Sequence, residues 1–203
     1  ASRPHFTVGV SQCSDDAWRQ KMNNEMQTEA LLYDNLELEI RSAGGDSERQ
    51  IADIRHFIEQ GVDLLIVAPN EAIPVTPVVE EAYARGIPVI VVDRKILSDH
   101  YTAYIGADNY RIGKIIGEYV ASQLGGRGEV IELTGLSGST PAIDRHQGFV
   151  NALKNHPGTW VLCSEDAHWL RSDAEVRADS LYRIYPEVDL VFAHNDQMAL
   201  GAW

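Results

Sequence analysis

Gly86-Ile87-Pro88-Val89-Ile90-Val91-Val92-Asp93-Arg94 decides how this chain is read. From Ile87 to Val92 every residue is apolar or proline, with no polar alternation. That pattern predicts a strand covered on both faces, as in a parallel sheet flanked by helices. The run ends at an acid and a base side by side. In open α/β sheets ligands bind beyond the carboxyl ends of the strands, so Asp93 and Arg94 are expected on that rim. A carboxylate accepts from hydroxyls and a guanidinium donates through a rigid fork, so the pair suits a small polyhydroxylated ligand. The plainer alternative is a loop-capping acid beside a solvated base. Repetition of the same design along the chain favours binding.

Upstream, Phe6 to Val10 reads as a strand, followed by a polar turn from Ser11 to Asp16. Trp18, Met22, Met26 and Ala30 recur every four residues, with Leu31 and Tyr33 closing the stripe, which predicts a helix with a core face. Leu36 to Ile40 alternates strictly, as an outer strand with one wet face does. Asp46 caps the next helix, Ile51, Ile54 and Ile58 form its buried stripe, and Gly61 ends it. Val62 to Val67 is a buried strand. Pro74 and Pro77 suit a first helical turn, ahead of Val78, Val79, Ala82 and Tyr83.

Downstream, Tyr101 to Ile105 is a short strand, and Asp108 caps a helix with Ile112, Ile115, Ile116, Tyr119 and Val120 inward. Gly113 and Gly117 would let a neighbour approach closely. Glu129 to Leu133, Trp160 to Cys163 and Val188 to Ala193 read as strands. Between them lie a Gly/Ser loop from Gly135 to Thr140, a helix opened by Pro141 and a helix over 174–184. Asn195 caps a last helix. Alternating strands and helices predict an α/β fold with parallel sheets. Val62-Asp63-Leu64 and Val188-Asp189-Leu190 form a faint echo, either common strand vocabulary or the trace of two similar lobes. A boundary is expected at the small residues near Gly106-Ala107-Asp108, giving lobes 1–106 and 107–203.

Composition narrows the function. The 203 residues carry 44% hydrophobic and 23% charged residues and a formal net charge of −13. The acidic balance argues against nucleic acid and anionic membranes, which need basic surface. No apolar run approaches a transmembrane length, and no basic-then-apolar start resembles a signal peptide. Cys13 and Cys163 each fall at the end of an expected strand and are expected as free, partly buried thiols. No C-x-x-C or H-x-x-x-H pair supports a redox pair or a metal site, and no cofactor is expected.

Several polar and aromatic groups fall just after expected strands: Asp15 and Trp18, Asp93 and Arg94, Trp169, and Asn195. Arg145 lies one turn inside a helix that opens at a strand end. Indoles can cover the C–H faces of a sugar while Asp, Arg and Asn read its hydroxyls. Trp18 also begins a helix stripe, so packing is an alternative role. Arg145 has a surface ion pair with Asp144 or Glu165 as its alternative. The loop from Thr134 to Thr140 lacks a Gly-Lys-Ser/Thr ending and a G-x-G-x-x-G, so a phosphate cradle has weak support. No nucleophile elbow or Ser-His-Asp set supports catalysis.

Val91-Val92-Asp93-Arg94, Gly106-Ala107-Asp108-Asn109, Glu132-Leu133-Thr134-Gly135, Asp144-Arg145-His146-Gln147-Gly148-Phe149 and Phe192-Ala193-His194-Asn195-Asp196-Gln197-Met198-Ala199-Leu200-Gly201 resemble the type I periplasmic binding proteins, nearest the ribose-binding and LacI-type effector branch. The resemblance spans the chain. It implies two Rossmann-like lobes with a hinge near 106–108 and a monosaccharide or short oligosaccharide held in the cleft. By position it assigns hydroxyl reading to Asp93, Arg94, Arg145 and Asn195, a polar contact to Asp15, and ring stacking to Trp18 and Trp169. Ala17 departs from the pattern, standing where ribose binders have a second stacking aromatic, so the identity of the sugar is left open. The opening Val10 to Arg19 looks most like periplasmic sensor modules of hybrid two-component histidine kinases, with a transport receptor or a LacI-type regulator as alternatives. A periplasmic location, a possible homodimer, and membrane attachment only through segments outside this chain follow from that resemblance. The family's chain continues past Trp203, so a C-terminally truncated version of the fold is expected, one that self-associates or binds sugar weakly.

Overall fold

The computed structural model describes residues 4–203. They form two compact units that divide between Ala107 and Asp108.

In the first unit, β1 (Phe6–Gln12), α1 (Ala17–Ala30), β2 (Leu36–Ser42), α2 (Ser47–Gln60), β3 (Leu64–Val67), α3 (Ala72–Ala84), β4 (Val89–Val92) and β5 (Ala103–Ile105) alternate as expected. The sheet is parallel with the order β2-β1-β3-β4-β5. Strand order reverses between β1 and β3, the place where such sheets open a crevice at their carboxyl ends. Local chemistry sets the helix ends. Asp46 accepts from Glu48 N and Arg49 N at the start of α2, and Gly61 closes it in the left-handed conformation. Phe57, Leu65, Val67, Val75, Val79, Val89 and Val91 are fully buried and form the core on the α2–α3 side of the sheet.

The second unit contains α4 (Asn109–Gln123), β6 (Arg127–Thr134), α5 (Thr140–Leu153), β7 (Gly158–Asp166), α6 (Arg171–Ile184), β8 (Leu190–Ala193) and α7 (Asp196–Ala202). Its parallel sheet runs β7-β6-β8, the order of β2-β1-β3 in the first unit. α4 and α5 pack backbone to backbone. A Cβ on Gly113 would fall 2.0 Å from Arg145 O, and one on Gly148 would fall 2.0 Å from Tyr110 O.

The Val-Asp-Leu echo has a structural counterpart. Asp63, entering β3, donates its N–H to Thr7 O at 2.9 Å and accepts from Thr7 N through Oδ2 at 2.7 Å. Asp189, entering β8, does the same with Glu129 O at 3.1 Å and Glu129 N at 2.8 Å. Each aspartate ties the third strand of its unit to the first.

Four expectations are corrected. The period-four stripe of α1 is not core: Trp18 is 58% exposed, Leu31 and Tyr33 are exposed, and the one residue α1 buries is Arg19. α1 rests against the edge strand β2, so its apolar face gains little cover. In α4, Ile115 and Tyr119 are exposed, because the face that meets α5 is the glycine face. α3 starts at Ala72, which places Pro77 inside the helix. Cys163 lies within β7, beside a register shift, and both cysteines are free. No helix among the described residues is long and apolar enough to cross a membrane.

Candidate functional site

At the carboxyl end of β4 the chain turns sharply. Arg94 N–H donates to Val92 O at 2.7 Å across Asp93, whose φ is 61°. This is a γ-turn of the rare, strained kind. It is held from outside: Asp93 N–H donates to Ile105 O at 2.8 Å, and the Tyr104 hydroxyl donates to Asp93 O at 2.9 Å. Arg94 is buried and donates through Nη1 to Asn70 O at 2.8 Å. Asn70 is fixed in turn by Gln50, whose Oε1 accepts from Asn70 N at 2.7 Å. Burial pulls the Arg94 guanidinium below its ordinary range, though a guanidinium still keeps its proton at any ordinary pH.

Asp93 accepts from Arg19 Nη2 at 2.5 Å. Arg19 was not singled out from sequence. It is 3% exposed, and its Nη1 is buried with no hydrogen-bond partner among the described residues. A buried donor left unsatisfied costs about 1–3 kcal/mol, so this guanidinium is poised for an acceptor. Its carbon lies 4.6 Å from the centroid of the Trp18 ring. Trp18, Arg19 and Asp93 therefore form one assembly, an exposed indole beside an ion pair with one donor unsatisfied. Asp15 instead lines a polar concavity on the flank of α1 with Gln20, Asn23, Asn24, Gln27 and Ser42.

In the second unit, Trp169 ends a left-handed pair, His168 with φ 52° and Trp169 with φ 69°. The loop from Thr134 to Thr140 seats its indole. A Cβ on Gly135 would come within 2.0 Å of the ring, and indole Nε1 donates to Ser139 Oγ at 3.3 Å. Arg145 lies with its guanidinium carbon 5.4 Å from the Trp169 ring centroid. It donates through Nε to Asn109 Oδ1 at 3.0 Å and through Nη1 to His194 O. Glu165, one of its two alternative partners, meets Arg177 at 3.8 Å. Asn195 caps α7 through Oδ1 and donates Nδ2 to Trp169 O at 3.1 Å. Arg145, Trp169 and Asn195 are thus gathered at the carboxyl ends of β6, β7 and β8.

Behind them lies a network whose acid and histidines fall in the quoted motifs without a role being assigned to them from sequence. Glu132 and His194 have fully buried side chains and meet at 2.9 Å. Glu132 also accepts from His146 Nδ1 at 2.7 Å and Ser164 Oγ at 2.5 Å. Gly135 N–H donates to His194 Nδ1 at 3.4 Å, which places the imidazole proton on Nε2, facing the carboxylate. Burial alone pushes Glu132 up, but the hydrogen bonds from His194, Ser164 and His146 outweigh it and hold the acid below its ordinary range. Burial holds His194 below its ordinary 6.5 despite the carboxylate.

Both shifts act on stability in the same direction. Below pH 6.5 the unfolded chain protonates the histidine while the folded unit does not, so stability falls with falling pH. Below pH 4.5 the unfolded chain protonates Glu132 first, and the loss deepens. Urea unfolding of the second unit is expected to show a level midpoint above pH 7 and a steady decline from pH 6.5 to 4. A midpoint independent of pH would contradict this account.

Two parallel α/β units, each with a polar and aromatic cluster at its strand ends, define a binding protein of the periplasmic type. The chain belongs to the periplasmic binding protein domain family, whose profile matches residues 7–203. It is 35% identical over 205 residues to the galactofuranose-binding protein YtfQ of Escherichia coli strain K12, covering 97% of this chain and 64% of that protein. A solved fructose binding periplasmic domain of a hybrid two component system is 57% identical with a TM-score of 0.94, over 98% of this chain and 66% of that one. The arabinose ABC transporter binding component of Shewanella sp. ANA-3, solved with α- and β-L-arabinofuranose, is 33% identical with a TM-score of 0.89, over 97% and 67%. The chain thus spans about two thirds of the length of these relatives.

Proposed function

We propose that this chain is the sugar-binding part of a periplasmic sensor domain in a hybrid two-component histidine kinase, acting by binding without catalysis. The observation that carries sugar binding is the pairing of indole with charge in both units: Trp18 with Arg19 and Asp93, and Trp169 with Arg145 and Asn195. Each pairing offers an apolar ring face beside directional donors and acceptors, the combination a carbohydrate needs. Each cluster is a sugar contact of its own unit in this reading, with Arg94 as a further hydroxyl donor and Asp15 as an outer polar contact of the first. The sensor assignment is supported by the hybrid-system relative at 57% identity.

The sugar proposed is one in the five-membered ring form. The relatives' own ligands, galactofuranose, L-arabinofuranose and fructose, are furanoses or form them readily.

Calorimetry with fructose, galactose, arabinose and ribose tests both claims. Fructose or another furanose-forming sugar is expected to bind with a micromolar dissociation constant, a free energy of about −8 kcal/mol, and to be recovered unchanged. A methyl pyranoside, locked in the six-membered ring, that bound more tightly than any of these would refute the ring-form assignment, and any turnover would refute binding without catalysis. The ABC-transporter relative favours a second reading, a transport receptor. A kinase domain in the same reading frame decides for the sensor.

A further inference from the structure

Glu132 and His194 lie directly behind the groups proposed to face the sugar, yet sugar contact gives them no role. Burying a carboxylate against an imidazole is costly unless every hydrogen bond is made. Here they are made: Glu132 accepts from His194, His146 and Ser164, and His194 accepts from Gly135 N–H. The chain leaves this anchored imidazole through the backbone of residue 194. That backbone supplies the carbonyl accepting from Arg145 Nη1, and the next residue is Asn195, whose amide holds Trp169 O.

The geometry points to Glu132 and His194 as positioning residues for the sugar grip of the second unit. The carboxylate fixes the imidazole, the imidazole fixes the backbone of residue 194, and that backbone presents Arg145 and Asn195. The inference rests on the sugar-binding reading. It requires neutral His194, because a proton on Nδ1 would turn the acceptor facing Gly135 N–H into a second donor. The charged and titratable groups facing this ring are Glu132 from β6 and Arg145 and His146 from α5; its other neighbours are the Phe192 ring at 5.0 Å and the Trp169 ring at 6.1 Å. An imidazolium there would repel the guanidinium it serves to place. Sugar affinity is therefore level at neutral pH, then falls toward about tenfold per pH unit once His194 titrates.

The test is fructose calorimetry from pH 8 to the lowest pH at which near-ultraviolet circular dichroism stays native. His194→Ala is expected to lose about fivefold to tenfold in affinity at pH 7.5, the value of one hydrogen bond. His194→Gln can donate to Glu132 and accept from Gly135 without titrating. It should stay within about threefold of the parent at pH 7.5, the scale of a small perturbation, and lose the acid decline. A His194→Gln variant that keeps the parent's decline, or a His194→Ala variant with parental affinity, overturns the proposal. If fructose fails to bind the parent at any pH, the sugar reading fails by itself. Positioning is then decided by nitrogen-15 NMR. The Arg145 Nη1–H that donates to His194 O must be protected from exchange in the parent and in His194→Gln, and exposed in His194→Ala. Rapid exchange in the parent would overturn it.

Discussion

Replacing Arg145 by alanine is expected to weaken fructose binding by at least about 100-fold. A hydrogen bond involving a charged group contributes about 1.5–3 kcal/mol, and a guanidinium facing a sugar makes two, so about 3 kcal/mol or more is lost, a factor of 100 or greater. The guanidinium lies against the Trp169 ring, and removing it also frees the indole that should cover the sugar face. Arg145→Lys keeps the charge but loses the fork. Nε–H to Asn109 and Nη1–H to His194 O cannot both be replaced by one ammonium, so lysine should recover little affinity. The alanine variant should remain folded, because its partners are a side-chain amide and a main-chain carbonyl at the edge of the unit. Calorimetry checks the affinity and urea unfolding the stability. Near-parental affinity would show that Arg145 is structural and the site misplaced.

Replacing Gly113 by valine is expected to cost the second unit about 3 kcal/mol or more. The new Cβ would fall 2.0 Å from Arg145 O and 2.9 Å from Arg145 Cα. Those are backbone atoms of a neighbouring helix, and no side chain can rotate to relieve the contact. α4 must move away from α5, which opens the core cluster of Val120, Val130, Phe149 and Phe192. Overpacking of this sort costs about 1–3 kcal/mol, occasionally more, and the lost packing around Phe149 adds to it. Valine's better helix propensity returns only about 0.3–0.5 kcal/mol. Sugar binding should fall together with stability, because Asn109 is carried by α4 while Arg145 is carried by α5. A urea midpoint corresponding to less than about 1 kcal/mol of loss would mean that the helices have slack the structure does not show.

What could be read from sequence was what local chemistry determines. Asp46, Asp108 and Asn195 cap helices through their own side chains, and Gly61 ends one, all within a few residues. The apolar runs at Val89 and Leu190 became buried or half-buried parallel strands. Periodicity failed where it had to choose between a core face and another kind of face. Trp18, Met22 and Met26 have helical spacing, but no sheet center lies beneath them, and Trp18 stays out beside Arg19. In α4 the spacing correctly marks Gly113 and Gly117 for close approach and Val120 for burial, but it also predicts Ile115 and Tyr119 inward, and both are exposed. Arg19 and Glu132 were illegible for another reason. The partner of Arg19 is Asp93, 74 residues along, and that of Glu132 is His194, 62 residues along. Only the crossovers of the fold bring them together, and an arginine among polar helix residues gives no sign that it will be buried.

The aspartates entering β3 and β8 bear on how a chain like this finds one pairing among several. A strand such as Leu-Leu-Ile-Val is apolar on both faces, so sliding by two residues along its neighbour leaves its burial almost unchanged. Greasiness therefore cannot choose the alignment. A carboxylate just before the strand can choose it, because Asp63 satisfies Thr7 N at one offset only and a slip would drag an anion into the sheet. Asp189 gives its own unit the same choice. One polar side chain per sheet thus acts as the stop that keeps an otherwise slippery joint from closing a notch too early or too late.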